Sequence, residues 1–212
     1  MTQFDRTFNF MKKPVVLISY VILVALAYLF ADESIATYCH MLELRDNLKL
    51  LKILTAFGQW VAYLPLFFLG GLYFRYIHKN KKYETMSWYL FACVLAPNIV
   101  GFILKIAVGR ARPDLLFESL SFGFYWFQFK NLYWSFPSGH TITIIAVASG
   151  LGVLFPKHFY SLLALALCVA LSRVLLYHHY LSDVMTGFYI SILVVGFMTG
   201  FLRRKHYLDP IT

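Results

Sequence analysis

Residues 184–202 read VMTGFYISILVVGFMTGFL, a run of 19 residues without a charged side chain. At 1.5 Å rise per residue, a helix of about 18–22 residues crosses the roughly 30 Å hydrocarbon core of a bilayer. Five similar runs precede it, some continuing past a polar motif at one end. The predicted spans are about 14–31, 53–74, 86–108, 138–155, 159–177 and 184–202. The sequence therefore predicts an all-α, polytopic bundle of six transmembrane helices, forming a single membrane-embedded domain over residues 1–212.

The composition supports a membrane protein. Apolar residues make up 60% of the chain, charged residues 14%, and the mean hydropathy is +0.66. Soluble domains average about 45–50% apolar and about 25% charged residues. The first run is longer than the apolar core of a cleaved signal peptide, so a span is the preferred interpretation. Cys39, Cys93 and Cys168 form no closely spaced pair, so neither a disulfide framework nor a CxxC metal site is expected.

The loop charges predict the orientation in the membrane. An even number of spans places both termini on one side, which carries 11 basic and 3 acidic residues, a net charge of +8. The other side carries 8 basic and 7 acidic residues, a net charge of +1. The positive-inside rule then makes both termini cytoplasmic. The overall charge of +9 is therefore mostly a topology signal, and no nucleic-acid partner is expected.

Three cations stand at the end of the third predicted span, in the stretch Lys105-Ile-Ala-Val-Gly-Arg110-Ala-Arg112-Pro113. Asn98, Lys105 and Arg112 are spaced by seven residues, so they share one face while the helix persists. Charged groups within or beside spans are usually functional. Taken alone, however, this block could simply be cations that reach from a helix end to the membrane surface.

The sequence SFPSGH at residues 135–140 opens the fourth predicted span. Ser138 is a natural helix N-cap, and Gly139 lets a ligand approach the backbone closely. The free amides of a helix N-terminus bind anions. A cap without a ligand would give the same pattern.

A third block, Ser172 to Asp183, separates the last two predicted spans and contains Arg173, His178 and His179. His179 and Asp183 are four residues apart, so on one helical turn the carboxylate could accept a hydrogen bond from the imidazole. His178 lacks this spacing and is interpreted as a neighbouring group.

The predicted topology places all three blocks on the non-cytoplasmic side, where they could converge on one tetrahedral anion. The sequence offers no carboxylate cluster for Mg²⁺ and no Cys/His set for Zn²⁺. We therefore expect a phosphate site that uses neither metal nor cofactor.

In order along the chain, the three blocks resemble the signature of the phosphatidic acid phosphatase type 2 (PAP2) superfamily. The matching residues are Lys105-x6-Arg112-Pro113, Pro137-Ser138-Gly139-His140 and Ser172-Arg173-x5-His179-x3-Asp183. This family includes lipid phosphatases, bacterial acid phosphatases and vanadium haloperoxidases, and the predicted layout of spans is similar to its integral-membrane branch.

The resemblance implies a metal-independent lipid phosphatase with a phosphohistidine intermediate. His179 would attack phosphorus, Asp183 would orient His179, and His140 would protonate the leaving oxygen and then activate water. The implied phosphate-binding residues are Lys105, Arg112, Arg173, Ser138 and Gly139. The expected location is the bacterial inner membrane, with the site facing the periplasm or exterior and without an obligate protein partner.

Several alternatives remain open at this point. The same site could pass the phosphoryl group to a second lipid, or a non-enzymatic anion transporter could use the cations. The candidate substrates are phosphatidylglycerophosphate, phosphatidic acid, undecaprenyl diphosphate and lipid A phosphate. The ten aromatic residues of the 117–136 loop are typical of a belt at headgroup depth or of a lip around the substrate. Arg110 and Asp114 lie outside the signature, and nothing in the sequence supports a headgroup contact for them.

Overall fold

The computed structural model describes residues 1–211, apart from the side chain of Asp46. Within this part of the chain the regular elements are all helical, which confirms the all-α prediction. The α-helices are α1 (Gln3–Met11), α2 (Pro14–Phe30), α3 (Asp32–Met41), α4 (Leu44–Asn47), α5 (Lys49–Ala56), α6 (Trp60–Tyr76), α7 (Lys81–Val108), α8 (Pro113–Ser119), α9 (Gly139–Leu154), α10 (Phe159–Leu175) and α11 (Leu181–Arg204). Short 3-10 turns lie at Asn131–Tyr133, Pro156–His158 and Asp209–Ile211.

Over residues 1–211, four helical stretches are long and apolar enough to cross a membrane. They are Lys49–Tyr76, Lys81–Val108, Pro156–Leu175 and Leu181–Arg204. A fifth results if α1 and α2, which are bent by 75° relative to each other, count as one span. The apolar helix α9 has 16 residues and falls short of this length. The chain is therefore a multi-pass membrane protein, while six spans and cytoplasmic termini remain predictions.

Two of the predicted spans differ most from the helices. The stretch at 53–74 is interrupted at residues 57–59, between α5 and α6. The helix of the third predicted span, α7, begins at Lys81 rather than at residue 86. The Asn80 side chain caps it by accepting a hydrogen bond from the Tyr83 amide. The residues that extend α7 are polar, so a search for uncharged runs passes over them.

The amphipathic helix α1 precedes the first predicted span and was not predicted. Thr2 and Asp5 form a capping box at its start. Its buried face carries Phe4, whose ring packs edge-on against Phe159 at a centroid distance of 5.6 Å. A helix of mixed polarity is invisible to a search for uncharged runs, and its apolar stripe explains why it folds against the bundle.

Helix α9 occupies the centre of the bundle and packs against α7, α10 and α11. It is apolar around most of its circumference, as a buried helix must be. Small residues let its neighbours approach closely. A Cβ atom on Gly150 would lie 3.0 Å from Cys93 Sγ, and one on Gly152 would lie 2.3 Å from the ring of Phe159.

The small residues of α11, which are spaced by four along the helix, let other segments of the same chain pack closely against it. A Cβ atom on Gly187 would lie 2.9 Å from the carbonyl oxygen of Ser138, and one on Gly196 would lie 2.1 Å from the ring of Phe8. Gly187 therefore lets α11 pass directly beside the start of α9.

The segment after α7 folds back across one end of the bundle. Helix α7 ends at Gly109, which adopts the left-handed conformation (φ 59°) typical of a glycine that ends a helix. The amide of Arg112 then donates to Leu132 O at 2.9 Å, and the amide of Ser135 donates to Arg110 O at 3.1 Å. These bonds bring the segment before α9 alongside the residues that follow α7.

Candidate active site

The three polar blocks meet at one end of the bundle. Lys105 Nζ donates to Trp134 O at 2.8 Å and to Pro137 O at 2.6 Å, which joins α7 to the segment before α9. The Ser138 amide donates to the carbonyl oxygen of Asp183 at 3.1 Å, which joins α9 to α11. The structure therefore brings residues of the three blocks together at one end of the bundle.

Helix α9 begins at the predicted position, with Ser138 as N-cap residue. The hydroxyl of Ser138 accepts a hydrogen bond from Thr141 Oγ1 at 3.1 Å and does not cap a backbone amide. The amides of Gly139 and His140 lie in the first turn, where a helix supplies no internal acceptor. They are available to an anion at this end of the bundle.

Two arginines, Arg112 and Arg173, are held in place by contacts to neighbouring segments. Arg112 Nε and Nη2 donate to the backbone and side-chain oxygens of Asn131, both at 3.0 Å. Arg173 is 6% exposed, and its Nη1 donates to Thr55 Oγ1 of α5 at 2.9 Å. Its buried Nε has no hydrogen-bond partner among the described residues.

His179 does not share a helical turn with Asp183, contrary to the geometry expected from their spacing. Helix α11 begins at Leu181, so His179 lies in the segment before it. His179 Nδ1 lies 3.6 Å from Asp183 Oδ2, which is slightly longer than a hydrogen bond. The same carboxylate oxygen accepts from Ser135 Oγ at 2.6 Å and from the Tyr180 amide at 2.9 Å. Asp183 is thus fixed by the capping of α11 and faces the imidazole.

Burial lowers the pKa of His179 well below its usual value. The charges of Arg112, Lys105 and Arg173 act in the same direction, and Asp183 opposes them. All three signature cations are therefore within electrostatic reach of one imidazole. Without a bound anion, His179 is neutral at physiological pH, the protonation state in which a ring nitrogen can act as a nucleophile.

The other two histidines lie in the same field. Burial, followed by the charges of Arg173 and Arg45, lowers the pKa of His178 to about 3. The charges of Arg173, Arg112 and Lys105 also act on His140. The His140 ring packs against the break between α5 and α6, where a Cβ atom on Gly58 would lie 2.8 Å from its Cβ.

Arg110 and Asp114, the charged residues outside the signature, both form ion pairs within the protein. Arg110 is fully buried and forms ion pairs with Asp32 and Asp183. Asp114 forms an ion pair with Arg45 at 2.8 Å. The partners of both residues are distant in sequence, and only Arg110 is buried.

Sequence reasoning missed three residues beside the site: Asp32, Arg45 and Gly58. Asp32 directly follows the first apolar run, and a charge next to a span is a recognisable signal. Arg45 and Gly58 lie in segments whose composition resembles an ordinary membrane-surface loop, so only the tertiary structure identifies them. Within residues 1–211, no group of three or more His, Cys, Asp or Glu side chains is placed to hold a metal ion.

The fold and site define a class of protein: a helical membrane protein in which cationic side chains form a candidate anion-binding site beside a histidine–aspartate pair. The sequence model of the PAP2 superfamily matches residues 86–207. The chain belongs to the PAP2 superfamily.

Two lipid A 1-phosphatases are similar to this chain over 146 residues, or 64% of its length. The Rhizobium johnstonii protein is 34% identical and the Rhizobium etli protein 33% identical. The matches span 60% and 63% of those relatives, respectively. A solved structure, the transmembrane PAP2-type phosphatidylglycerolphosphate phosphatase from Bacillus subtilis, has a TM-score of 0.45 at 18% identity, covering 95% of this chain and 92% of that one.

Proposed function

We propose that this chain is a phosphatase that hydrolyses a lipid phosphate at the non-cytoplasmic face of the membrane through a phosphohistidine on His179. One observation carries the proposal: the buried imidazole of His179 lies 3.6 Å from the Asp183 carboxylate and within electrostatic reach of Lys105, Arg112 and Arg173. Phosphoryl transfer requires positioning and fixed positive charge around the equatorial oxygens. The Ser138 hydroxyl and the Gly139 amide complete the phosphate-binding set.

The reaction has two steps. The Nε2 lone pair of His179 attacks phosphorus, the bond to the lipid oxygen breaks, and His140 gives that oxygen a proton. Positive charge develops on the imidazole and is stabilised by Asp183. Water then attacks the phosphohistidine and gives a proton to His140, while the P–N bond breaks and phosphate leaves.

An apolar groove beside the phosphate site supports a lipid substrate. The groove has a volume of about 290 Å³ and lies between α6, α7 and α9. Lys105 and Gly139 line it together with Trp60, Leu64, Leu95, Asn98, Ile99, Gly101, Phe102 and Ile142. We assign one acyl chain of the substrate to this groove, since its polar end carries two of the proposed phosphate ligands.

Among the candidate lipids, a lipid A 1-phosphate is the first to test, because the two curated relatives carry that name. The other candidates remain phosphatidic acid, phosphatidylglycerophosphate and undecaprenyl diphosphate. The proposed location is the bacterial inner membrane.

The test is phosphate release by the detergent-purified chain from each of these four lipids, with and without EDTA. We expect turnover of at least one lipid, unaffected by EDTA, and its loss in His179→Ala. A His179→Ala variant as active as the wild type would refute the mechanism, and inactivation by EDTA would refute the metal-free site. Labelled phosphate that appears in a second lipid would instead show a phosphotransferase.

A further inference from the structure

Behind the proposed catalytic pair, a second set of buried charges surrounds Arg110. Asp183 faces His179 with Oδ2 and Arg110 with Oδ1. Arg110 Nη1 contacts Asp183 Oδ1 at 2.5 Å, and Nη2 contacts Asp32 Oδ2 at 2.8 Å. All three side chains are 0% exposed. One guanidinium thus bridges two carboxylates, and the three ionised groups carry a formal net charge of −1.

Four aromatic rings close this cluster off from solvent. The guanidinium carbon of Arg110 lies 4.3 Å from the ring centroid of Tyr180 and 5.0 Å from that of Tyr28. Phe122 and Phe124 contribute two further rings at 5.5 and 5.4 Å. Water cannot screen charges in such a cage, so each charge acts on its neighbours more strongly than at a surface.

Asp32 also holds the start of α11 directly. Its Oδ1 accepts from the Ser182 amide at 2.9 Å, and its Oδ2 accepts from the Ser182 hydroxyl. Ser182 Oγ in turn lies 2.7 Å from Arg110 Nη1. Asp32 therefore reaches Asp183 by two routes, through the guanidinium and through the adjacent backbone.

We propose that Asp32 is a positioning residue for the reaction: acting through Arg110 and Ser182, it fixes the orientation of Asp183 and preserves the negative charge that Asp183 presents to His179. This inference rests on the proposed function, in which His179 becomes positively charged as it attacks phosphorus.

The physical reason is charge balance. Without the carboxylate of Asp32, Arg110 would neutralise Asp183, and the imidazolium forming on His179 would face a pair with no net charge. With Asp32 ionised, Arg110 is shared and a net negative charge remains behind the imidazole. Burial alone would lower the pKa of Arg110, but Asp183 and Asp32 raise it above its usual value, so the bridging group stays charged.

Other titratable and charged groups also act on the histidines of the candidate active site, and the Asp32 and Arg110 variants leave all of them unchanged. They are Lys105 of α7, Arg112, His140 of α9, Arg173 of α10, His178, and Arg45 and Lys52 of α4 and α5. Since the test alters only the charge of the Asp32–Arg110 pair, a shift in the pH profile between variants measures the effect of that pair.

The experiment compares Asp32→Asn with the double variant Asp32→Asn/Arg110→Gln. In Asp32→Asn, we expect kcat to fall at least about tenfold with KM nearly unchanged. We expect the acid limb of the kcat–pH profile to move about one unit lower. Protonated His179 loses part of the negative charge that stabilises it, so its pKa falls. In the double variant Asp183 again carries an unopposed negative charge, so the limb should return to within about 0.3 unit of the wild-type position.

A purely structural role for Asp32 would lower the active fraction without moving the limb, and that result would overturn the proposal. Removing both partners of a buried pair is better tolerated than removing one, so the double variant remains informative if Asp32→Asn fails to fold. In that case, the proposal would be refuted if the acid limb of the double variant lay a full pH unit away from that of the wild type. The control is Glu84→Gln, a buried carboxylate paired with Lys81 at the start of α7, which should leave the limb unchanged.

A second measurement separates this proposal from the proposed function. Histidine-selective ¹⁵N NMR in the presence of inorganic phosphate follows protonation of His179 without turnover. A wild-type chain that releases no phosphate from any lipid would refute the proposed function, while the NMR shift between wild type and Asp32→Asn would still decide whether Asp32 acts on His179. An identical His179 titration in both proteins would refute the positioning role.

Discussion

Gly58 lies directly against His140, so that a Cβ atom on residue 58 would lie 2.8 Å from the His140 Cβ and 2.9 Å from its Cδ2. Protein Cβ atoms essentially never approach this closely, and the atoms at the root of the histidine side chain cannot swing aside. The turn between α5 and α6 therefore limits where the imidazole can lie.

Gly58→Ala should displace the proposed general acid. A shift of about 1 Å in a catalytic group can cost about 100-fold in rate, so we expect kcat to fall about 10- to 100-fold in a phosphate-release assay. The control is Gly70→Ala in α6, whose new Cβ would lie 3.3 Å from the Ser87 hydroxyl; a shift of a few tenths of an ångström relieves this contact, so the change should be tolerated. A folded Gly58→Ala protein with kcat within about twofold of wild type would contradict this role of the turn.

Arg45 stabilises the turn just before His178 and His179. It donates to Leu176 O and Tyr177 O at 3.1 and 3.0 Å, and its guanidinium carbon lies 4.0 Å from the ring centroid of Tyr177. Tyr177 has φ 42°, a left-handed conformation that costs a non-glycine residue about 1–3 kcal/mol. Since lysine cannot reproduce this planar fork, Arg45→Lys should lower kcat at least about tenfold.

The matched control for Arg45→Lys is Arg75→Lys, since Arg75 also lies over a tyrosine ring, that of Tyr76, but at the end of α6. It should leave kcat unchanged. Equal activity of Arg45→Lys and wild type would show that the 176–177 turn is stable without the guanidinium.

The chain should become less stable as the pH falls below about 6.5. Burial and neighbouring arginines lower the pKa of His178 from 6.5 to about 3, so between these values the unfolded state binds more protons than the folded state. Stability therefore rises with pH across this window and is lost as the pH falls through it. Thermal unfolding in detergent should show Tm decreasing from pH 7 to pH 4.5.

His178→Gln should flatten this pH dependence, because it removes one of the groups that must take up a proton on unfolding. His158→Gln, an exposed position in the turn before α10, should leave the slope of Tm against pH unchanged. A slope in His178→Gln as steep as in wild type would show that His178 does not contribute.

Filling the groove between α6, α7 and α9 should discriminate between lipid and soluble substrates. Ile99 lines the groove and is half exposed. Ile99→Trp should raise KM for a long-chain lipid phosphate about tenfold or more, and leave hydrolysis of p-nitrophenyl phosphate nearly unchanged. Ile103→Trp, on the same helix outside the groove, is the control; equal effects on both substrates would place the acyl chain elsewhere.

Local sequence was sufficient for features that depend on neighbouring residues. Uncharged runs identify an all-α, multi-pass membrane protein, and Ser138 marks the start of α9, because a helix start depends on a few adjacent residues. The signature residues Lys105 and His179 could likewise be identified by spacing, and the structure brings them to one end of the bundle.

Contacts between distant segments could not be predicted in the same way. Asp32 and Asp183 meet through Arg110 across more than one hundred residues of sequence, and the pairing depends on how α3 packs. The 3.6 Å separation of His179 from Asp183 also depends on tertiary structure, since Tyr180 and Ser135 occupy the carboxylate oxygen that faces the imidazole.

The hydrogen bond from Arg173 to Thr55 has a practical consequence for engineering. The family match begins at residue 86, yet Thr55 belongs to a helix that lies before it and holds one of the proposed phosphate ligands. A chimera that grafts residues 86–207 onto the amino-terminal helices of a relative would inherit the signature intact, but it would keep the support for Arg173 only if the relative supplies a hydrogen-bond acceptor where this chain has Thr55. The exchangeable unit therefore includes α5 as well as the signature.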